Sequence, residues 1–542
     1  MQTEDQAGAN RSDPLGTNER GFDAEGLLGI IEQVRAREHC TPFDVDRILR
    51  QQWRDGTPPR SRADLVASYR QLCALGILPF EREMLRRLQR KPVRTLSGVA
   101  PVTVLTKPFP CPGQCLFCPS QEGMPKSYLA DEPGAMRAVA HDFEPYAQTS
   151  ARLQSFDALG HPTDKVELLV LGATWSAYPH DYQEWFLRRC LDALNGSDSA
   201  NLLDAQLQNQ TAARRNVGLV IETRPDTITP EEVRRLRRLG VTKVQLGIQS
   251  LDDAILEQNK RGHTVQQTRD AVRLLRLTGI KIAVHWMPNL LGATPESDYR
   301  DFGRLWDDPA IRPDELKIYP CSLLPETELA LLWQQGLYQP YAQETLVELL
   351  VRCKRLVPRY CRINRLMRDI PAPNIVAGVK RSNLRQIVQR RMTEEHQACQ
   401  CIRCREVRRA EVVPDDLSLD TIAYTSDVSE EFFLSYVTPH DKLAGFLRLS
   451  LPLDGVVPPI DEIRGCAMIR EVHIYGPALK LDAGSEGEAQ HMGLGSELIE
   501  EAGRLSRQRG FGSLAVIAAV GTREYYAQRG FVLGETYMIR SG

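Results

Sequence analysis

Three cysteines, Cys111, Cys115 and Cys118, follow one another at a C-x3-C-x2-C spacing. Thiolates this close together can ligate three irons of a [4Fe–4S] cluster and leave the fourth iron open for another ligand. Two simpler interpretations are a zinc knuckle that lacks one ligand and three free cysteines in a turn. The apolar run 102–105 lies just before the motif and predicts a strand, which favours the cluster.

An open iron can bind S-adenosylmethionine (SAM) through its amino and carboxylate groups and pass it an electron. The cysteine spacing resembles that of radical-SAM enzymes, in which the cluster-binding cysteine loop follows the first strand of a barrel. We therefore expect a [4Fe–4S] cluster and SAM as cofactors.

A second cysteine group, Cys399, Cys401 and Cys404, lies far from the first along the chain. Three thiolates and one further Cys or His would make a closed tetrahedral zinc site, which would brace a linker without a core of its own. The spacing leaves three candidates for the fourth ligand: His396, Cys361 and Cys321.

Near the C-terminus, glycines of the segment 490–496 open a predicted helix, 495–509, after a predicted strand, 468–474. Backbone N–H groups at such a helix start favour a pyrophosphate. The order resembles the acyl-CoA loop of GNAT-type acetyltransferases, and Tyr525-Tyr526 followed by Gly530-Phe531 resembles the end of that fold. A purely structural glycine turn is the alternative.

The elements that must position these residues alternate between short apolar runs and amphipathic helices. This alternation predicts parallel strands with helical crossovers, and six strands suggest an incomplete (β/α) barrel. The site of such a barrel lies at the carboxyl ends of its strands. The strand candidates are 102–105, 166–171, 217–221, 243–246, 281–285 and 315–318, and the helix candidates are 181–194, 230–239, 265–277 and 297–306.

Composition excludes several classes of protein. The 542 residues are 42% hydrophobic and 25% charged, as in soluble globular proteins, and no apolar run approaches the roughly 18 residues of a membrane span. The polar N-terminus lacks a signal-peptide core, and thirteen cysteines without an export signal indicate reduced thiols and metal ligation. We expect a cytoplasmic protein without a membrane partner.

The formal net charge of −2 conceals a basic block. The segment 352–409 contains sixteen Lys or Arg against four Asp or Glu. A second basic run consists of Arg82, Arg86, Arg87, Arg90, Lys91 and Arg94. Either run alone is often a solvated helix face, but two of them flanking a catalytic region favour a polyanionic partner.

A radical-SAM half joined to a GNAT half closely resembles the catalytic subunit of Elongator, a tRNA uridine carboxymethyl synthase. The resemblance covers most of the chain from residue 91 onward. The cysteine spacing here is more compact than in eukaryotic members, which leaves the conformation of the surrounding loop open. The segments that carry the resemblance are 91–98, 131–137, 164–167, 222–226, 261–264, 368–371, 470–476 and 521–526.

The resemblance implies an α/β fold class: a partial (β/α) radical-SAM barrel followed by a GNAT-type α/β acetyltransferase domain, with a small N-terminal helical region. The expected domains are a disordered tail (1–22), a helical tRNA-binding region (23–90), a radical-SAM domain (91–370), a basic zinc-binding linker (371–413) and a GNAT domain (414–542).

The resemblance also implies an acyltransferase that uses acetyl-CoA to convert the wobble uridine of tRNA into 5-carboxymethyluridine. A 5′-deoxyadenosyl radical takes a hydrogen from the acetyl methyl group, and the carbon then adds to C5 of the uracil. The implied partners are the anticodon stem-loop of tRNA and acetyl-CoA. Whether Elongator-type accessory subunits take part, or whether the protein acts alone or as a homodimer, stays open.

Site residues follow from matching positions. Lys165, Tyr525 and Tyr526 are the implied catalytic residues, Lys165 and one of the two tyrosines contacting acetyl-CoA. Each of three residues also has a simpler interpretation. Lys165 could be an exposed lysine at a strand edge, Gly172 could belong to a tight turn, and His473 could be a strand histidine whose hydrogen bonds are satisfied. The implied cofactor-binding residues are Cys111, Cys115 and Cys118 for the cluster, Gly172 and Thr174 for SAM, Glu471, Val472, His473 and Ile474 for pantetheine, and Gly493, Leu494, Gly495 and Ser496 for pyrophosphate.

Five cations of the basic block are expected to grip tRNA phosphates: Lys380, Arg381, Arg385, Arg390 and Arg391. The main rival function is a protein lysine acetyltransferase with a structural iron–sulfur domain, in which Glu471 could serve as the base. A third alternative is a nucleic-acid-binding scaffold that has lost catalysis.

Overall fold

The computed structural model describes residues 24–38, 40–54, 61–89, 95, 97–408, 412–475 and 493–542. The predicted tail 1–22 and the cations Arg90, Lys91 and Arg94 lie outside the described residues. The chain divides into two compact units, one of residues 1–94 and 154–161 and one of residues 95–153 and 162–542. All thirteen cysteines are free thiols. No helix in the described ranges combines the length and apolar character that a membrane crossing needs.

The first unit is built from short amphipathic helices around a small apolar core that includes Leu27, Leu65 and Tyr69. A capping box between Ser61 and Asp64 fixes the start of the third helix. Its helices are α1 (Ala24–Arg35), α2 (Pro42–Arg54), α3 (Arg62–Ala74) and α4 (Arg82–Leu88).

The second unit begins with a seven-stranded sheet whose strands follow chain order and are all parallel. The two edge strands do not pair with each other, so the barrel is open, as the sequence predicted. The six-strand prediction was wrong by one, because the seventh strand buries only Ile363 and shows no apolar run. The strands are β1 (Ala100–Leu105), β2 (Lys165–Leu171), β3 (Arg215–Thr223), β4 (Lys243–Gln249), β5 (Lys281–Trp286), β6 (Glu315–Ile318) and β7 (Arg362–Arg365).

One or two helices follow each strand of this sheet along the chain. Thr264 caps one of them through a reciprocal pair of hydrogen bonds with Gln267, at the boundary that the sequence predicted. The helices are α5 (Pro133–Val139), α6 (Pro145–Ala158), α7 (His180–Asn195), α8 (Leu202–Asn209), α9 (Pro230–Arg238), α10 (Asp253–Gln258), α11 (Val265–Leu277), α12 (Pro295–Asp307), α13 (Glu328–Gln334), α14 (Gln343–Leu356), α15 (Leu384–Glu394) and α16 (Ile402–Arg405).

A second, mixed sheet follows and packs one face against the long helix α17. The predicted strand 468–474 and the predicted helix 495–509 both lie in this part of the chain. Its elements are β8 (Ser418–Thr425), β9 (Ser429–Val437), β10 (Leu443–Pro452), β11 (Ala467–Ile474), α17 (Leu494–Gln508), β12 (Ser513–Val516), α18 (Arg523–Ala527), β13 (Val532–Leu533) and β14 (Met538–Ser541). The spatial order is β13-β14-β12-β11-β10-β9-β8, and only β11 and β12 are parallel.

A buried ion-pair network joins the second sheet to the amino ends of the barrel strands. Asp314, directly before β6, receives two hydrogen bonds from Arg470 of β11, at 2.5 and 3.1 Å. Arg470 also donates to Glu431 at 2.9 Å. Lys281, the first residue of β5, lies 2.5 Å from Glu471 of β11. The two sheets are therefore held together by paired buried charges, which keep a fixed geometry only while every partner is present.

Candidate active site

The cysteine loop lies just beyond β1, and Leu116 inside the motif anchors it. Leu116 N–H donates to the carbonyl of Asn259 at 3.2 Å, and its own carbonyl accepts from Leu329 N–H at 3.0 Å. Its side chain is buried beside Leu290 and Leu323. The loop is thus pinned by three distant segments at the carboxyl end of the sheet.

The three thiols differ in surroundings. Cys111 Sγ lies 3.5 Å from Thr174 Oγ1 and accepts from Gly113 N–H at the same distance. Cys115 Sγ accepts a hydrogen bond from Arg261 at 3.4 Å. Burial raises the pKa of the Cys118 thiol to about 12. Cys118 therefore becomes a thiolate only where a bound cation compensates its charge.

The turn after β2 brings Thr174 to the cysteine loop. Gly172 has a φ of 138° and Ala173 a φ of 74°. A Cβ atom on Gly172 would lie 1.8 Å from Thr106 Oγ1, so only glycine fits there. Gly172 and Thr174 thus lie beside Cys111, where the resemblance to radical-SAM enzymes expects a SAM-binding turn, although their role stays a prediction.

Lys165 lies at the opposite end of the same strand, the amino end of β2. Lys165 pairs in register with Arg215 of β3. Gly521, which follows β12 of the second sheet, packs closely there, since a Cβ atom on it would lie only 2.6 Å from Arg215 Cβ. Burial lowers the pKa of Lys165 below its ordinary value. Lys165 is therefore on the side of the barrel that the second sheet covers, away from the cysteines.

A cluster of polar side chains is buried at the carboxyl ends of β3 to β6. Tyr128 donates to Glu222 at 3.0 Å, and the other oxygen of Glu222 lies 3.6 Å from His285 Nδ1. Gln245 Oε1 lies 3.0 Å from His285 Nε2 and accepts from Lys317. Burial lowers the pKa of Lys317 to about 8 and that of His285 well below its ordinary value. Near neutral pH, Lys317 therefore keeps its proton and His285 is neutral.

Two buried arginines near the cysteine loop, Arg224 and Arg261, each have one N–H group without a described hydrogen-bond partner. Asp226 holds Arg224 through Nε at 2.9 Å and Nη2 at 3.1 Å, while Nη1 is buried without a hydrogen-bond partner among the described residues. A Cβ atom on Gly113, inside the cysteine motif, would lie only 2.3 Å from that Nη1 atom. Buried guanidinium donors without a described partner beside three thiols fit an anionic cluster with a bound carboxylate, so the residues present suit a [4Fe–4S] cluster and SAM.

In the second domain, β11 has an open edge. It pairs with β10 as far as Ile474, but with β12 only over Ala467 to Ile469. Beyond that point the described residues offer no strand on the β12 side, so an extended ligand can pair with Glu471 to His473. His473 lies there, its Nε2 buried without a described partner, and burial lowers its pKa to about 4.

The start of α17 lies beside one of the two terminal tyrosines. Gly493, the N-cap, has a φ of 73°, and a Cβ atom on Gly495 would lie 2.7 Å from the Tyr525 hydroxyl. Arg529 stacks on the Tyr525 ring at 3.5 Å and donates to Ser496 Oγ at 2.9 Å. Tyr526 instead packs in the apolar core. Only Tyr525 thus faces the glycine turn, whose preceding residues 490–492 lie outside the described ranges.

Glu471 is committed to other partners. Lys281 lies 2.5 Å away and Arg448 donates to it at 2.9 Å. Burial alone would raise the pKa of Glu471, but these two cations hold it below its ordinary value. A carboxylate bound in this way is a poor general base, which weakens the lysine acetyltransferase alternative.

The second cysteine group comes together as predicted. The Sγ atoms of Cys399, Cys401 and Cys404 all lie within 4.8 Å of one another. The side-chain hydrogen bonds that Cys401 accepts from the other two thiols hold its pKa well below its ordinary value. Within the described ranges no fourth ligand atom lies close enough to join these three thiols. The three candidates His396, Cys361 and Cys321 are therefore not part of the group.

The expected phosphate-gripping cations divide into two groups. Arg391 forms an ion pair with Glu344 at 2.6 Å, and Arg385 donates to the Ile363 carbonyl at 3.0 Å, so neither matches the expectation of a free surface cation. Lys380, Arg381 and Arg390 are exposed, and no carboxylate of the described chain pairs with them. Arg391 and Arg385 are engaged by residues distant in sequence, which a count of charges does not show.

Comparisons with known proteins define the class first. Residues 110–302 match the Radical SAM superfamily and residues 313–394 the Radical_SAM C-terminal domain. The protein is therefore a radical-SAM protein with a further mixed-sheet domain after the barrel.

The particular family follows from full-length relatives. A tRNA uridine(34) acetyltransferase of Dehalococcoides mccartyi is 42% identical over 83% of this chain and 99% of its own length. Human Elongator complex protein 3 is 34% identical over 94% of this chain and 96% of its own. The solved structure of Methanocaldococcus infernus Elp3, lacking its N-terminus, covers 82% of this chain and 99% of its own, with a TM-score of 0.72 and 36% identity. The chain belongs to this tRNA uridine(34) acetyltransferase and Elongator complex protein 3 family, as the sequence motifs predicted.

Proposed function

We propose that the protein is an acyltransferase that builds 5-carboxymethyluridine at the wobble uridine of tRNA from acetyl-CoA. One observation carries this proposal above all. β5 begins at Lys281, which is paired with Glu471 of the second sheet, and carries His285 near its other end, in the buried polar cluster at the carboxyl ends of the barrel strands. A single short strand thus joins the acyl-CoA candidate site to the end of the barrel at which the cysteine loop lies.

Cys111, Cys115 and Cys118 would hold the cluster, and Gly172 and Thr174 would meet the amino end of SAM. When bound, the reduced cluster and SAM would supply the 5′-deoxyadenosyl group that takes a hydrogen atom from the acetyl methyl group. The barrel's own contribution is to exclude water around this step, since the cysteine loop is packed against Leu290 and Leu323.

The second domain would bind acetyl-CoA. Its pantetheine arm would lie along β11 at Glu471, Val472, His473 and Ile474, as the family resemblance implies. Its pyrophosphate would lie at Gly493, Leu494, Gly495 and Ser496, where the Ser496 N–H already donates to the Gly493 carbonyl at 2.8 Å. Tyr525, held by Arg529, would contact CoA, whereas the core position of Tyr526 gives it a structural role. Lys165, on the side of the barrel that faces this domain, would place a cation near the acyl thioester.

Zinc is proposed for the thiols of Cys399, Cys401 and Cys404 because three sulfur ligands within 4.8 Å suit a tetrahedral ion. The fourth ligand would be water or a residue that moves on metal binding. The site would hold the start of α16, whose N-cap is Cys401, next to the barrel edge strand β7.

The anticodon stem-loop would contact Lys380, Arg381 and Arg390, which are the exposed and unpaired cations of the basic block. Single-stranded anticodon bases can be splayed out, as chemistry at uracil C5 requires. A triple charge reversal of these residues is expected to weaken tRNA binding and to flatten its salt dependence. Reversal of the paired Arg391 is the matched control and should have a smaller effect.

The experiment that tests the function combines anaerobically reconstituted protein with tRNA, SAM and acetyl-CoA, followed by mass analysis of the nucleosides. We expect 5-carboxymethyluridine and 5′-deoxyadenosine to form together, and both to disappear in Cys115→Ser but not in Cys73→Ser, which alters a thiol of the helical unit. Acetylation of a lysine peptide without SAM, with no change in the tRNA, would instead support the lysine acetyltransferase alternative.

A further inference from the structure

Arg261 is a buried cation that the residue roles assigned so far do not use. It follows α10 and is 6% exposed, yet no carboxylate of the described residues lies within ion-pair distance of it. Nη2 donates to the Gly247 carbonyl at 2.5 Å, Nη1 donates to Cys115 Sγ at 3.4 Å, and Nε is buried without a described partner. A buried guanidinium normally has an anionic partner, because an unpaired buried charge is costly.

The position of this guanidinium is fixed by its surroundings. A Cβ atom on Gly247 would lie 2.8 Å from Nη2, so glycine at the end of β4 leaves the space that the guanidinium occupies. The Asn259 carbonyl, two residues before Arg261, accepts from Leu116 N–H inside the cysteine motif. The segment that carries Arg261 is therefore bonded directly to the loop that carries Cys115.

We propose that Arg261 is a positioning residue that sets the reduction potential of the cluster through its hydrogen bond to Cys115 Sγ. A cluster held by three thiolates has a net negative charge, which increases when the cluster accepts an electron. A nearby fixed cation stabilises the reduced form more than the oxidised form, and hydrogen bonds to ligand sulfurs act in the same direction. Arg261 thus makes the cluster easier to reduce, and the cluster is the anionic partner that the guanidinium otherwise lacks.

The inference rests on the cluster of the proposed function, but its test does not require tRNA modification. The midpoint potential of the reconstituted cluster is measured by electron paramagnetic resonance during a redox titration, in the parent and in Arg261→Gln. We expect the ratio of reduced to oxidised cluster at a fixed solution potential to fall about tenfold, which is about 59 mV for a one-electron couple. Iron and sulfide contents are measured on the same samples.

Lys260→Gln is the matched control. Lys260 is the preceding residue, its substitution removes the same charge, and its side chain is 53% exposed and paired with Glu328. A screened surface charge should shift the potential far less than Arg261 does. Arg261→Lys keeps the charge but not the fork that reaches both Gly247 and Cys115, so its potential should lie between those of the parent and Arg261→Gln.

Several outcomes decide the matter. Equal shifts in Arg261→Gln and Lys260→Gln, or no shift in Arg261→Gln, would overturn the proposal. Failure of both Arg261 variants to assemble a cluster would also overturn it, because Arg261 would then have a structural role. Assembly in Arg261→Lys but not in Arg261→Gln would support the need for a cation. A parent that holds a titratable cluster but modifies no uridine would refute the proposed function while leaving this test intact.

Discussion

Asp314→Asn tests whether the buried charges between barrel and second sheet stabilise the fold. Asp314 is fully buried and accepts from both Nη atoms of Arg470 and from Ile282 N–H at 2.9 Å, with Arg448 at 3.6 Å. The amide would keep the shape but leave Arg470 and Arg448 without this countercharge. Breaking a buried pair from one side typically costs about 3–5 kcal/mol.

The lowered pKa of Asp314 indicates a stabilisation of the same order. Burial opposes ionisation, yet Arg470 and Arg448 lower the pKa from 3.8 to about 2, which corresponds to about 2–3 kcal/mol. Because the folded-state pKa is lowered, this stabilisation is present above about pH 4 and is lost as the pH falls towards about 2. The difference between parent and variant should therefore shrink in acid.

The assay is guanidinium chloride unfolding followed by tryptophan fluorescence, since Trp286 and Trp306 are buried in the same unit. Asp314→Asn, Arg470→Met and the double variant form a cycle in which we expect a coupling of about 2 kcal/mol or more. Glu328→Gln, which breaks the exposed pair with Lys260, is the control and should cost less than about 1 kcal/mol. A loss in Asp314→Asn no larger than in this control would refute the reasoning.

Three further predictions concern the SAM turn, a buried acid and the thiol group. Gly172→Ala should abolish SAM binding while the iron content stays unchanged, because the new Cβ atom would clash with Thr106. Equilibrium SAM binding and iron analysis of the same samples check this. Burial raises the pKa of Asp298 from 3.8 to about 7, so the parent should lose stability as pH rises from about 4 through about 7. Asp298→Asn should lose less, because this carboxyl no longer contributes, while its buried neighbour Asp301, whose pKa burial also raises, still does; unfolding curves across this range decide it. Cys401→Ser should remove one bound zinc per chain in metal analysis, whereas the buried thiol variant Cys353→Ser should retain it.

Local patterns predicted the parts of the fold and site that depend on neighbouring residues. The alternation of apolar runs and amphipathic helices predicted six of the seven barrel strands, and α11 has the predicted limits. These features depend on periodicity and capping chemistry, which a single sequence displays. The expected role of Gly172 and Thr174 at SAM came instead from the family resemblance, and Thr174 lies at Cys111.

Residues that act through distant contacts could not be predicted in this way. Arg261 is 146 positions from Cys115, and Arg470 is 156 positions from Asp314, so only the folded chain brings these charges together. The same applies to Tyr525 and Tyr526, which are neighbours of one type and differ only in what they pack against. Charge counting likewise could not tell the exposed Lys380 from the paired Arg391.

In the proposed reaction, one chain couples a radical source to an acetyl donor on tRNA. Reconstituted protein is incubated with tRNA, SAM and acetyl-CoA whose methyl group is fully deuterated, and the label is followed by mass spectrometry. We expect one deuterium in 5′-deoxyadenosine and two in the carboxymethyl group of the modified uridine. A modified uridine that retains all the methyl deuterium, with none in 5′-deoxyadenosine, would show that no radical forms on the acetyl carbon.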